Sequence, residues 1–275
     1  MSDGAGVANP PDPDALDEVD PDDRAPSGWL RTIEIAWHLP RLVAGLGPLG
    51  PRGPEHGPPA LVLPGFLADD RTTMELRRAL SRGGWRTYPW ELGTNKGARA
   101  DTLERLGKRL DAVHDPRKVL LVGWSLGGLF ARELARTHPD KVRAVVTLGS
   151  PFSGDLRTNT NVRRLYEWVA GHPVDQPPFP RITDKPPVPT LALWSRRDGI
   201  VSVRSARGLA GEADKAVEID TSHMGFAVSR PVLERVVKEI GVFLGEVEGE
   251  PPRVYSGRIF RPLTPPGGLA IQEQK

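Results

Sequence analysis

Two patterns alternate through the middle of the chain. Short apolar runs at 60–63, 85–88, 117–122, 142–148, 189–194 and 215–219 read as strands. Between them, apolar residues recur every three or four positions at 72–82, 97–113, 125–137, 203–210 and 231–244, which read as helices. The last opens with Pro231 at an early helical position, where its fixed φ fits and its missing N–H costs nothing. The run Val119-Leu120-Leu121-Val122 has no polar alternation, the mark of a central strand covered on both faces. Strand–helix alternation at this spacing predicts a mostly parallel sheet of about six strands with helices on both faces.

The flanks differ. Residues 1–27 hold eight acidic residues, one basic residue and little to bury, so they read as a disordered acidic tail and not a secretory signal. The domain is expected over 28–248. Within it, 28–58 supplies an N-terminal helix and a Gly/Pro linker, and 150–188 a small cap insertion with one helix at 161–170 and a Pro-rich loop. Trp29, Leu30, Ile33, Ala36 and Trp37 give 29–46 an amphipathic pattern, a candidate for peripheral membrane contact as well as for ordinary packing. Residues 249–275 read as an extended Pro-rich tail.

Composition adds limits. The chain has 275 residues, formal net charge +2 and no Cys, so neither disulfides nor thiolate chemistry enter. The absence of Cys and of a signal fits a cytoplasmic protein. The body is basic once the acidic tail is set apart, but no basic stripe interleaves with aromatics, so nucleic acid is not an expected partner. No His/Asp/Glu group has metal spacing, and Gly123–Gly128 lacks the Lys of a phosphate loop, so no metal or cofactor is expected.

The chemistry sits where strands end, because open parallel sheets gather ligands at the carboxyl ends of their strands. The 117–122 strand runs into Gly123-Trp124-Ser125-Leu126-Gly127, a G-x-S-x-G between strand and helix, where glycines leave room for a sharp turn that presents Ser125. The 189–194 strand leads to Asp198, and the 215–219 strand to His223. A serine hydroxyl needs a base to become a nucleophile, and the base needs an acid to fix its tautomer. Asp220, three residues before His223, competes with Asp198 for that last role. His38, His56, His114, His138 and His172 lack a strand-end setting and read as surface groups.

On Pro64-Gly65-Phe66, Gly123-Trp124-Ser125-Leu126-Gly127, Asp198-Gly199-Ile200-Val201 and Ser222-His223-Met224, the chain over roughly 59–245 resembles an α/β-hydrolase of the esterase/lipase type. The order Ser…Asp…His matches. The resemblance implies Ser125 as nucleophile, His223 as general base and acid, Asp198 as its orienting partner, and the N–H groups of Leu126 and Phe66 as an oxyanion hole. It departs from the family in having Pro64 where many relatives have His, and in lacking the two strands that usually precede the Gly-Phe loop. It implies a serine hydrolase of carboxylic esters with an apolar part, a small-molecule ester or lipid. The alternatives are an acyltransferase or lipid-remodelling enzyme with the same residues, and a non-catalytic binding protein on this fold. Trp124, Leu67, Phe152, Tyr166 and Met224 are candidate substrate-lining residues; Leu165, Trp168 and Phe179 belong to the same apolar cap.

Overall fold

The structure is a computed structural model that describes residues 26, 50–154, 160, 163–178, 182–249, 253–256 and 259–262. The expected 29–46 helix, His38 and Phe179 lie outside the described residues. Six strands form one parallel sheet: β1 (Pro59–Leu63), β2 (Arg86–Pro89), β3 (Val119–Trp124), β4 (Val142–Leu148), β5 (Thr190–Trp194) and β6 (Lys215–Glu218), in the order β2-β1-β3-β4-β5-β6. The register between β1 and β3 pairs Leu61 with Leu121 and Leu63 with Gly123.

Side chains of successive strand residues point to opposite faces, and the two faces feed separate cores. Ala60, Val62, Leu120, Val122 and Val146 meet helices α1 (Met74–Arg82) and α7 (Arg230–Glu248) through Leu76, Leu80, Val236, Ile240 and Phe243. Leu61, Leu63, Leu121 and Val145 meet α2 (Thr102–Val113) and α3 (Leu126–Thr137) through Leu106, Leu110, Phe130 and Leu134. Each such Val, Leu, Ile or Phe side chain, fully buried, stabilises the fold by about 1.5–3 kcal/mol relative to exposure. All six residues of β3 are buried, as its unbroken apolar run required. Three shorter helices are also described: α4 (Arg163–Ala170), α5 (Val203–Arg207) and α6 (Gly225–Val228).

The chain goes from β1 outward to β2, then crosses back to β3 on the other side of β1. The direction of winding therefore reverses between β1 and β3, and a crevice opens beyond their carboxyl ends. Those ends lead to Phe66 and Ser125.

Several boundaries differ from expectation. The helix expected over 97–113 begins at Thr102, because Gly97 has φ +99° and its backbone N–H is taken by the Asn95 side chain. A Cβ at Gly97 would also lie 2.7 Å from that of Ala170. The helix expected from 72 begins at Met74, since the Asp69 carboxylate accepts from the N–H groups of Arg71 and Thr72 in a turn of its own. α7 runs four residues past the expected end and stops at Gly249, which takes the left-handed conformation open to glycine. In the tail read as extended, β7 (Arg253–Ser256) and β8 (Ile259–Pro262) pair antiparallel.

Candidate active site

Ser125 sits at φ +54°, ψ −124°, a region that costs a non-glycine residue about 1–3 kcal/mol. Three neighbours leave space for this turn. A Cβ at Gly123 would lie 2.4 Å from Gly127, one at Gly127 2.2 Å from the Leu63 carbonyl, and one at Gly128 2.0 Å from the Ser150 hydroxyl. The turn is held by the Ser125 N–H donating to Leu148 O at 2.9 Å and by the Gly128 N–H donating to Ser125 O at 3.0 Å. The serine stands at the N-terminus of α3, whose dipole favours negative charge there.

Asp198, 3 % exposed, follows β5, and His223, 2 % exposed, follows β6. His223 Nδ1 lies 2.7 Å from Asp198 Oδ2. The other carboxylate oxygen accepts from the N–H groups of Ile200 and Val201, both at 2.8 Å, so the acid is fixed before it meets the imidazole. A carboxylate at Nδ1 keeps the proton there and leaves Nε2 as the basic nitrogen. The two loops are also tied together: Ser195 Oγ donates to Thr221 O at 2.5 Å and accepts the Thr221 N–H at 3.2 Å. Trp124, the residue before Ser125, donates its indole N–H to His223 O at 3.1 Å and lays its ring 5.5 Å from the imidazole. Gly149, at the end of β4, completes the enclosure; a Cβ there would lie 2.8 Å from Asp198 Oδ2 and 3.2 Å from His223 Nδ1.

The loop after β1 approaches Ser125 so closely that a Cβ at Gly65 would lie 3.1 Å from the serine Cβ. Asn95, 1 % exposed, holds this loop. Its Nδ2 donates to Pro64 O at 2.8 Å, its carbonyl accepts the Leu67 N–H at 2.8 Å, and its own N–H donates to Ala68 O at 2.8 Å. Leu67 is kept at φ +58°. Among the described residues, no acceptor takes the backbone N–H of Phe66 or of Leu126. Both residues line a pocket together with Ser125. The pocket volume is about 80 Å³, and its wall is chiefly apolar, with Leu129, Phe130, Phe152 and Val174 among its members. Helix α4 covers it: Tyr166 packs its ring 5.2 Å from that of Phe66 and accepts the Ala98 N–H at 3.3 Å. Burial pushes the Tyr166 phenol above its ordinary range.

A family model for the α/β-hydrolase fold matches residues 81–176, from the end of α1 through the Ser125 turn into the cap. The chain has the α/β-hydrolase fold. Over 58 residues it is 43 % identical to a pimeloyl-[acyl-carrier protein] methyl ester esterase of Citrobacter koseri, a match covering 21 % of this chain and 22 % of that protein. The same figures hold for the protein of that description from Salmonella heidelberg. The match thus spans about a fifth of the length of these relatives. Among solved structures, a candidate lipase from Acinetobacter baumannii superposes with TM-score 0.55 at 16 % identity, over 80 % of this chain and 97 % of that one. A thioesterase domain from the curacin biosynthetic pathway gives 0.51 at 13 % identity, over 68 % and 93 %. At such identities the likeness is one of fold.

On this fold, Asp198 and His223 meet, whereas the Asp220 side chain is 74 % exposed and faces Arg197 at 3.2 Å. Of the five candidate lining residues, Phe152 and Tyr166 border the pocket, and Trp124, Leu67 and Met224 do not. Trp124 is buried against His223, Met224 joins the core under β6, and Leu67 turns outward at 47 % exposure because of its positive φ. In the cap, Leu165 and Trp168 also face outward. His172, expected at the surface, is partly buried with Nε2 3.0 Å from Ala98 O. Asn95 was not anticipated. It follows the end of β2, and the strand-end rule that singled out Ser125, Asp198 and His223 would have reached it there.

Proposed function

We propose that the protein hydrolyses carboxylic esters with an apolar part, through an acyl-enzyme on Ser125. The observation that carries this reading is the buried Asp198–His223 pair set against Trp124 beside a serine held at φ +54°. His223 Nε2 takes the Ser125 proton as Oγ bonds to the ester carbonyl carbon. The carbonyl π electrons move to oxygen, and the Phe66 and Leu126 N–H groups stabilise the resulting oxyanion. The carbon–alkoxy bond then breaks as His223 gives its proton to the leaving alcohol. Water, deprotonated by His223, attacks the acyl carbon, and Ser125 recovers its proton as the acid departs. The apolar wall of the pocket supports a substrate with hydrocarbon beside the ester and gives a strongly charged one little to bind.

A fluorophosphonate probe tests the reading. Wild type is expected to gain one covalent adduct, located on Ser125 by peptide mass spectrometry, and to release acid and alcohol from p-nitrophenyl butyrate. Ser125→Ala is expected to do neither. A folded wild type with no adduct and no turnover would overturn the proposal in favour of a binding protein. Alcohols outcompeting water for the acyl group would make it an acyltransferase.

A further inference from the structure

Helix α4 brings to the pocket one polar atom that the proposed reaction does not use. Tyr166, 7 % exposed, borders the pocket together with Phe66, Ser125 and Leu126. Its ring packs 5.2 Å from that of Phe66 and lies 5.6 Å from that of His172 at a near-perpendicular angle. Phenylalanine would pack in the same way. What the phenol adds is an oxygen, to which the Ala98 N–H donates at 3.3 Å. A phenol oxygen that accepts one bond still carries a proton to donate. Among the described residues, no group accepts that proton.

The acceptors around Ala98 are engaged elsewhere. Asn95 Oδ1 takes the Gly97 N–H at 3.1 Å, and Ala98 O lies 3.0 Å from His172 Nε2. A Cβ at Gly97 would lie 3.2 Å from Cε2 and 3.4 Å from Cζ of Tyr166, so backbone closes one side of the phenol. Ala98 also borders the pocket, which sets its bonded pair with Tyr166 at the wall. Burial pushes the phenol above its ordinary pKa, so at neutral pH it remains a donor. Accepting the Ala98 N–H polarises the O–H and makes it a stronger one. A buried donor without an acceptor has lost its bond to water and gained nothing in return. A substrate entering the pocket can supply the missing partner.

The charged residues on the same wall narrow the choice of partner. Arg132 gives its N–H groups to the carbonyls of Thr183 at 2.6 Å and of Asp184 and Glu212 at 2.9 Å. Glu133 accepts the Ile182 N–H, and its carboxyl adds no attraction for an anion. The rest of the wall is chiefly apolar, so a charged acceptor would be desolvated without a counter-ion. We propose that Tyr166 is a specificity-determining residue whose phenolic O–H donates to an uncharged acceptor, an ether or ketone oxygen that the substrate carries near its ester. This rests on the ester-hydrolase reading and narrows its substrates to oxygenated esters. The acceptor lies on the acyl or the alcohol side, and the experiment separates the two.

One arm measures kcat/KM on the p-nitrophenyl esters of pentanoic acid and of its near-isosteres ethoxyacetic, methoxypropanoic and levulinic acid. The other compares pentyl acetate with ethoxyethyl and methoxypropyl acetate. Both arms are run on wild type and on Tyr166→Phe. The readout is the oxygenated-to-hydrocarbon ratio in wild type divided by the same ratio in the variant. That division cancels the intrinsic reactivity of each ester and any general loss of activity. In one arm the quotient is expected to reach about tenfold for at least one oxygenated ester. Tyr166→Phe also leaves the Ala98 N–H without its acceptor. If holding that N–H is the whole role of the hydroxyl, all esters lose activity alike. A quotient below about threefold for every ester in both arms overturns the proposal and leaves the hydrolase reading intact. Should Tyr166→Phe not fold, the wild-type ratio is divided instead by that for hydroxide-catalysed hydrolysis of the same esters, and the same limits decide. No turnover of any ester and no fluorophosphonate adduct overturns both.

Discussion

The Asn95 amide donates to the Pro64 carbonyl across 2.8 Å, joining the loop after β2 to the loop after β1 inside the protein. With the two backbone bonds to Leu67 and Ala68, it fixes the peptide that carries the Phe66 N–H. Losing an oxyanion donor altogether costs on the order of 10²–10³ in rate. Asn95→Ala displaces the donor and keeps it, so kcat is expected to fall by about tenfold to a hundredfold with a much smaller change in KM. Asn95→Asp retains an acceptor for the Gly97 N–H but sets a carboxylate oxygen against Pro64 O, and is expected to be no better. Steady-state kinetics on a butyrate ester, with thermal unfolding alongside, check both.

The backbone of Ser125 gives a prediction about stability. Glycine adopts φ +54° without the Cβ penalty, so Ser125→Gly is expected to be more stable than Ser125→Ala by about 1–3 kcal/mol. For a domain of this size that is a difference of several degrees in Tm, at about 2–4 °C per kcal/mol. Both variants should be inactive. Differential scanning calorimetry of the pair would contradict the strained turn if alanine proved the more stable.

Asp198 and Asp220 lie close to His223 in sequence or space and are distinguished by burial. Asp198→Asn is expected to lower kcat by about 10⁴, because an amide at Nδ1 allows the wrong imidazole tautomer. Asp220→Asn removes only an exposed ion pair with Arg197 and should leave kcat within a factor of two of wild type. A reversal of these two results in the same esterase assay would reassign the acid.

A fourth expectation concerns pH. Asp70 is buried beside Arg77, and its carboxylate accepts from the N–H groups of Trp90 and Glu91 at 2.9 and 3.1 Å. Burial outweighs these bonds and raises its pKa from the ordinary 3.8; Arg77 acts to lower it and Asp69 to raise it. A carboxyl whose folded pKa is raised binds its proton more tightly when folded. Its contribution to stability is therefore fully present below the unfolded pKa and is lost as pH rises through the folded value. Asp70→Asn cannot ionise, so its stability relative to wild type should improve as pH rises from about 3 to 7. Urea titrations of both proteins across that range would oppose this if the difference stayed constant or moved the other way.

Much of the fold was legible because it depends on local pattern. The Val119–Val122 run had to be a covered strand, and the helical spacing after Leu126 required a helix to follow. Gly123 and Gly127 marked the turn between them, since few other reasons place glycine at both positions around one serine. The start of α2 was not legible. Periodicity continues back to Gly97, but Asn95 and the cap helix decide the backbone there.

The amino-acid sequence by itself determined the alternation of strands and helices, the sharp turn at Ser125 and the strand ends from which Asp198 and His223 emerge. These follow from periodicity and backbone sterics, which act over a few residues. Tertiary structure alone decided that Asp220 turns out to Arg197 while Asp198, which the resemblance already implied, is buried against His223, that Trp124 and Met224 pack away from the pocket, and that Asn95 secures the Phe66 loop. Those outcomes depend on which buried polar groups find partners across the sheet, a competition among residues far apart in the chain.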